Sequence, residues 1–181
     1  MILNLLYPIL AATVAVCAAL QPACAEDSFG IEDENLRSVP ASAAAVLRSH
    51  LMNTVYRECA TGKFIGVRLA LAGTGQESDW IAKTADGCAW GAATAKIWVL
   101  KKGKSGFQLV LDDGGQVVLL LKSKTNGLRD LKMASGTTGH YSESLLRFDG
   151  RQYKVFKSCE INLQDPNVSK SHPDGQCHIN Y

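Results

Sequence analysis

From Phe64 onward the apolar residues come in short runs, each closed by Gly, Asp or Asn. The runs are rich in Val, Ile, Leu, Phe and Tyr, the side chains that suit a pleated surface. They predict strands at Phe64–Ala72, Asp79–Thr84, Ala95–Lys101, Phe107–Leu111, Gln116–Lys122, Arg129–Lys132, Ser142–Phe148 and Tyr153–Lys157. A last short strand is expected from Gln176 to Asn180. K-K-G-K-S-G, D-D-G-G, T-N-G and F-D-G-R stand between them as turn signals. Asp112–Gly115, Asn126-Gly127 and Asp149-Gly150 predict tight hairpins, because the turns that match strand twist need positive φ. Arg129 and Asp130 then open the strand after Asn126-Gly127. Within I-W-V-L, strand alternation sends Trp98 and Leu100 to one face and Ile97 and Val99 to the other. L-V-L and V-V-L-L-L are unbroken apolar runs, which predicts strands covered on both faces.

Ahead of Cys59 the period changes. Ala43, Val46, Leu47, His50 and Leu51 recur at helical spacing and predict one amphipathic helix of about three turns. Ser38 is its expected cap, and Pro40 belongs to the first turn, where a missing N–H costs nothing. His50 falls on the apolar side, as a partly buried histidine. Residues 26–37 are acidic and polar and are expected to form a flexible leader. The pattern predicts a mainly β body over residues 38–181, an antiparallel sandwich, barrel or partial propeller of about eight or nine short strands, with the N-terminal helix on one end.

Composition adds a compartment. Residues 1–25 hold no Asp, Glu, Lys or Arg, and an apolar stretch there ends in A-C-A at Ala23–Ala25. That is the form of a signal peptide with its cleavage site. The stretch is short, contains Pro8 and reads less well as an anchor, so no stable membrane insertion is expected after cleavage. Of the six cysteines, Cys17 and Cys24 leave with this segment. Cys59, Cys88, Cys159 and Cys177 remain, an even set that reads as two disulfides in a periplasmic or secreted protein. Three connectivities are open. Cys59–Cys88 and Cys159–Cys177 close the shortest loops and lose the least chain entropy. The competing zinc reading lacks the close Cys or His pairs such a site uses. A net charge of +2 announces no face for nucleic acid or anionic membrane.

No catalytic set stands out. G-x-S-x-G, a P-loop, a dinucleotide fingerprint, H-E-x-x-H and a complete calcium loop are all missing from the sequence. On one strand His140, Ser142 and Ser144 would share a face, which leaves a small Ser/His hydrolase as an alternative. Asp112-Asp113, Glu77 with Asp79, and Glu143 are the carboxylates to weigh for acid–base work, and none lies in an evident apolar pocket. Two segments look suited to binding. Ala134–Ser144 is small, hydroxyl-rich and long for a hairpin connection, and loops on rigid β scaffolds are common binding devices. Ser135, Thr137, Thr138, His140 and Tyr141 are its candidate partner-binding residues. The polar run Leu163–Cys177 is the second, tied at one end by its cysteine.

The stretches L-A-G-T-G-Q-E-S-D-W-I-A, G-C-A-W-G-A-A-T-A-K-I-W-V-L and T-N-G-L-R-D-L carry a resemblance. Together with F-D-G-R-Q-Y they resemble small exported bacterial all-β proteins with FG-GAP-like turns, from about Phe64 to Lys157. In that group the first turn reads L-N-G-D-G. Here Ala72 and Thr74 replace the Asn and Asp oxygens, so the resemblance does not extend to calcium. The group also implies a second cysteine near Lys96; none is present, which again turns Cys88 toward Cys59. In size, compartment and architecture the chain is similar to periplasmic hydrolase inhibitors and immunity proteins. That likeness implies a protein partner such as a peptidoglycan hydrolase; on the residues themselves, no cofactor and no metal is expected. A role in envelope structure or assembly, with the helix as docking element, is the further alternative.

Overall fold

The structure is a computed structural model that describes residues 27–75, 78–162 and 176–179. The expected signal segment 1–25, Glu77 and the run Leu163–Gly175 lie outside the described residues.

Two antiparallel sheets stack face to face. The larger has the order β1-β7-β8-β9-β10-β11, with β1 at Ser28–Gly30, β7 at Val117–Thr125, β8 at Leu128–Thr137, β9 at His140–Phe148, β10 at Tyr153–Asn162 and β11 at Gln176–Ile179. The smaller has the order β2-β3-β4-β5-β6, with β2 at Arg37–Ser38, β3 at Phe64–Leu69, β4 at Asp79–Thr84, β5 at Ala95–Gly103 and β6 at Gly106–Gly115. Neither sheet closes on itself among the described residues, so of the three architectures the pattern allowed, this is the sandwich. Helix α1, Ala41–Leu51, forms a third layer.

Two cores follow from this layering. Between the sheets lie Leu69, Ile81, Ile97 and Val99 from one side and Val118, Leu131, Met133, Leu146 and Tyr153 from the other. On the outer face of the smaller sheet, Ala43, Ala44, Leu47 and Leu51 of α1 cover Phe64, Trp80, Ala82, Trp98 and Leu100. The alternation read in I-W-V-L places Ile97 and Val99 in the first core and Trp98 and Leu100 in the second. All four side chains are 0 % exposed; β5, like β4 with all of its residues buried, is sealed on both faces along its centre. Removing each from water stabilises the fold by about 1.5–3 kcal/mol before entropy is counted.

Several expectations need correction. The helix lies along the outer face of the smaller sheet, not on its end. Its N-cap is Pro40, without a side-chain cap bond, because Ser38 is engaged in β2 opposite Ile65. The leader is not loose throughout: β1 pairs with β7, and Phe29 is 0 % exposed. An acidic composition concealed one aromatic anchor. V-V-L-L-L is fully covered on one face only: Val118 and Leu120 are buried, whereas Leu119 and Leu121 are half-buried and Val117 is 38 % exposed.

Asn126-Gly127 is a two-residue hairpin with φ of 49° and 83°, closed by the pair Thr125 and Leu128. This is the doubly positive geometry expected there. D-D-G-G, in contrast, turns nothing. Asp112–Gly115 runs straight through β6, and the turn lies earlier, between the paired Gly103 and Gly106. Gly115 is needed for a different reason: a Cβ there would stand 2.7 Å from Cγ of Met133. The chain then crosses at Gln116 into the other sheet.

A disulfide joins Cys59 to Cys88, with a Cα–Cα distance of 5.6 Å. It ties the 3-10 turn Arg57–Thr61 beneath α1 to the loop after β4. Cys159 is disulfide-bonded too, and backbone register sets Cys177 directly opposite it.

Candidate functional site

The expected loop Ala134–Ser144 is a hairpin. β8 continues to Thr137 and β9 starts at His140, so only Thr138 and Gly139 connect them. Gly139 supplies the positive φ, at 98°. Thr is β-branched and Ser small, and both sit readily in a ladder when the register is fixed from the strand below. Pairing runs without interruption from Leu131 opposite Leu146 to Thr137 opposite His140.

This placement divides the five candidate residues. Paired residues share a face and neighbours alternate. Ser135 and Thr137 of β8, and His140 of β9, therefore continue the inward face that carries Met133 and Leu146. Tyr141 lies on the outward face opposite Gly136. Thr138 is in the turn. Thr137, Thr138 and His140 are exposed, whereas Ser135 and Tyr141 are half-buried and already engaged. The Ser135 and Ser142 hydroxyls are 2.7 Å apart. The Tyr141 hydroxyl donates to Glu143 Oε2 at 3.1 Å, and the same oxygen is 3.0 Å from Lys132 Nζ. Burial, then the neighbouring Glu143, push the Tyr141 hydroxyl above its ordinary pKa. The structure thus brings Thr137, Thr138 and His140 together at an exposed tip, and gives Ser135 and Tyr141 to the hairpin's own support.

The tip is held from both sides. On one side β10 pairs with β9 as far as Asn162 opposite His140. On the other, β7 stops at Val117, opposite Ala134, and the Gln116 side chain takes over. Its Oε1 accepts from Gly136 N at 2.9 Å, and its Nε2 donates to Gly136 O at 2.8 Å. The amide copies the ladder that a strand would have made. Nε2 also donates to Ala93 O at 2.6 Å, linking the tip to the loop that Cys88 anchors. Gln116→Ala should therefore lower stability by about 2 kcal/mol and speed amide exchange at Gly136; urea unfolding and hydrogen-exchange mass spectrometry read both.

The carboxylates considered for acid–base chemistry are separated. Asp112 faces α1, where its oxygens are 2.6 Å from His50 Nε2 and 2.7 Å from Lys96 Nζ. Asp113 pairs with the inward-facing Ile97 and so lies on the other side of the sheet. Asp79 is buried and accepts backbone N–H groups of Leu71 and Lys102 at 3.1 and 2.8 Å. Burial is the main influence on it and raises its pKa. Glu143 is held by Lys132 as described. Ser142 does share a face with His140, but its hydroxyl is directed at Ser135. As for metals, the cluster found among the described residues is Glu58, Cys59 and Cys88. The two sulfurs there are bonded to each other.

Sequence reasoning missed three features. The His50–Asp112–Lys96 cluster joins α1, β6 and β5, and it was hidden because Asp112 was assigned to a turn. Arg129, read as an ordinary strand opening, is buried. It donates to the carbonyls of Leu121 and Leu120 at 2.8 and 2.7 Å and pairs with Asp27 at 2.5 Å. Third is a cleft of about 520 Å³ between β6 and the start of β10. No helix among the described residues is long and apolar enough to cross a membrane. Comparison with protein-family models, with curated proteins and with solved structures finds no match.

Proposed function

We propose that this chain is an exported, periplasmic protein-binding module, an inhibitor or immunity protein against a cell-wall-degrading enzyme, and that the β8–β9 tip enters the partner's cleft. The observation that carries this reading is the tip itself. Three adjacent side chains, Thr137, Thr138 and His140, are exposed on a hairpin whose base is fixed by β10, by Gln116 and by the Ser135–Ser142 contact. A rigid, narrow projection loses little conformational entropy when it docks, which favours affinity. The Cys59–Cys88 bridge is compatible with an oxidising compartment. The resemblance to small exported bacterial proteins with FG-GAP-like turns belongs to the same proposal. In its favour, Gly73 and Gly75 of the first turn take positive φ, 66° and 76°.

The alternatives meet geometric obstacles. A Ser/His hydrolase needs a free serine hydroxyl beside His140; Ser142 is committed to Ser135, and Ser144, on the same face opposite Met133, stands four residues along the strand, about 13 Å away. An assembly role through α1 needs an exposed apolar stripe, and Ala43, Ala44, Leu47 and Leu51 are buried against the sheet.

The test is co-elution of the mature chain with purified muramidases and wall amidases in gel filtration at micromolar concentration. The reading expects a complex with at least one of them. It fails if none forms.

A further inference from the structure

Three features that the tip does not use meet at the loop 85–94, between β4 and β5. The first is Trp90, which is 36 % exposed, whereas Trp80 and Trp98 are 6 % and 0 % exposed. The second is Lys83, only 5 % exposed, with which no carboxylate pairs among the described residues. Its ammonium stands 4.6 Å from the centroid of the Trp90 ring and 3.4 Å from Thr84 O. Desolvation lowers its pKa. The third is Ala89, whose φ of 59° is left-handed backbone that alanine rarely adopts. Such backbone persists only where the surroundings hold it, and it gathers at binding sites.

Together these features fix the indole at the surface. A buried ammonium without an acid is unfavourable, and the face of an aromatic ring offsets part of that cost. The indole N–H donates to Thr84 Oγ1 at 3.2 Å. Trp90 N donates to Gly87 O at 3.3 Å, and the residue pairs through its backbone with Ala95. Two positions earlier, Cys88 is bonded to Cys59. Trp90 belongs to neither core. The loop also adjoins the tip: Gln116 Nε2 donates to Ala93 O on one side and to Gly136 O on the other. A single nitrogen thus joins the segment that carries Trp90 to the residue before Thr137.

On the reading of the chain as an inhibitor or immunity protein, we propose that Trp90 is a second contact for the same partner, seated in an apolar pocket at the rim of the cleft that the tip enters. Thr137, Thr138 and His140 offer hydrogen bonds but little apolar area. A tryptophan supplies that area, and tryptophan is among the residues that most often dominate a protein interface. A ring already fixed on Lys83 and Thr84 loses little freedom when it docks. The two contacts divide the work: the tip gives direction in the cleft, and Trp90 selects the enzymes that have a rim pocket for it. Trp90→Ala should weaken the complex about thirtyfold or more.

The experiment uses the mature chain labelled with 5-fluorotryptophan and the same muramidases and wall amidases, unlabelled. The chain has three tryptophans, so fluorine NMR gives three resonances, and Trp90→Phe identifies the one from Trp90. In the free chain that resonance alone should shift between light and heavy water. In a complex seen by gel filtration it should move and lose this solvent shift, while the resonances of Trp80 and Trp98 stay. A Trp90 that only supports the loop would keep its solvent shift. Two results overturn the rim contact alone: a complex in which the Trp90 resonance is unchanged, or equal binding by Trp90→Ala and wild type. Absence of any complex overturns the inhibitor reading, and the rim contact falls with it.

Discussion

Trp98→Ala is expected to lower stability by about 3–5 kcal/mol, the range for removing a large buried aromatic. Trp98 is 0 % exposed and sits in the middle of β5, beneath α1. Its ring meets Phe64 edge-on, with centroids 5.8 Å apart and planes at 86°. The neighbours above it include Ala43 and Ala44, which are too short to fill the space an indole leaves. The cavity therefore persists, and its cost adds to the lost transfer energy. The indole N–H has no partner among the described residues, so part of the loss is offset when that buried donor goes. A cooperative urea transition read by circular dichroism checks this, with Val55→Ala as control. Val55 is 82 % exposed, and its replacement should change stability by less than about 0.5 kcal/mol.

The second large effect is expected from the covalent staple. Cys59 and Cys88 are 29 positions apart. Opening a loop of that size restores about 3–4 kcal/mol of chain entropy to the unfolded state. The double replacement Cys59→Ala/Cys88→Ala should lose that amount, and wild type in reductant, which also opens the bridge at Cys159, should lose at least as much. The consequence is also local. Cys88 precedes Ala93, whose carbonyl accepts the Gln116 amide that secures Gly136. Losing the bridge should therefore raise amide exchange at Gly136 before global unfolding begins. Denaturant titration with and without reductant, followed by exchange at that amide, reads both parts. An unchanged Gly136 would show that the tip does not depend on the loop.

Local patterns carried much of this fold. Alternation in I-W-V-L correctly divided four residues between two cores, because the other sheet covers one face of β5 and α1 the other. Asn126-Gly127 was legible because a two-residue hairpin demands positive φ at both positions, and these residues tolerate it. D-D-G-G looked similar but reports something else. Gly115 is there because Met133 packs against its backbone, a close approach between sheets that no local window contains. The same limit explains Phe29, whose burial depends on pairing with a strand almost ninety positions later.

The candidate site was legible in place but not in form. Small hydroxyl residues in S-G-T-T-G-H suggested a loop. In the fold they continue a ladder, because Leu131 and Leu146 fix the register below and Ser135 meets Ser142 across it. That separates the exposed Thr137, Thr138 and His140 from Ser135 and Tyr141, a distinction that composition could not make. The His50–Asp112–Lys96 cluster is tertiary. It arises from where α1 lies over β5 and β6, and it has no sequence signature.

The most direct test of the central claim is an inhibition assay with a panel of muramidases and wall amidases, run with wild type and His140→Trp. His140 is exposed, so the substitution should leave the unfolding midpoint unchanged. The account predicts that wild type inhibits at least one enzyme at micromolar concentration or below, and that His140→Trp weakens this about tenfold or more, roughly 1.4 kcal/mol. No inhibition of any enzyme, or equal inhibition by the two proteins, would contradict it.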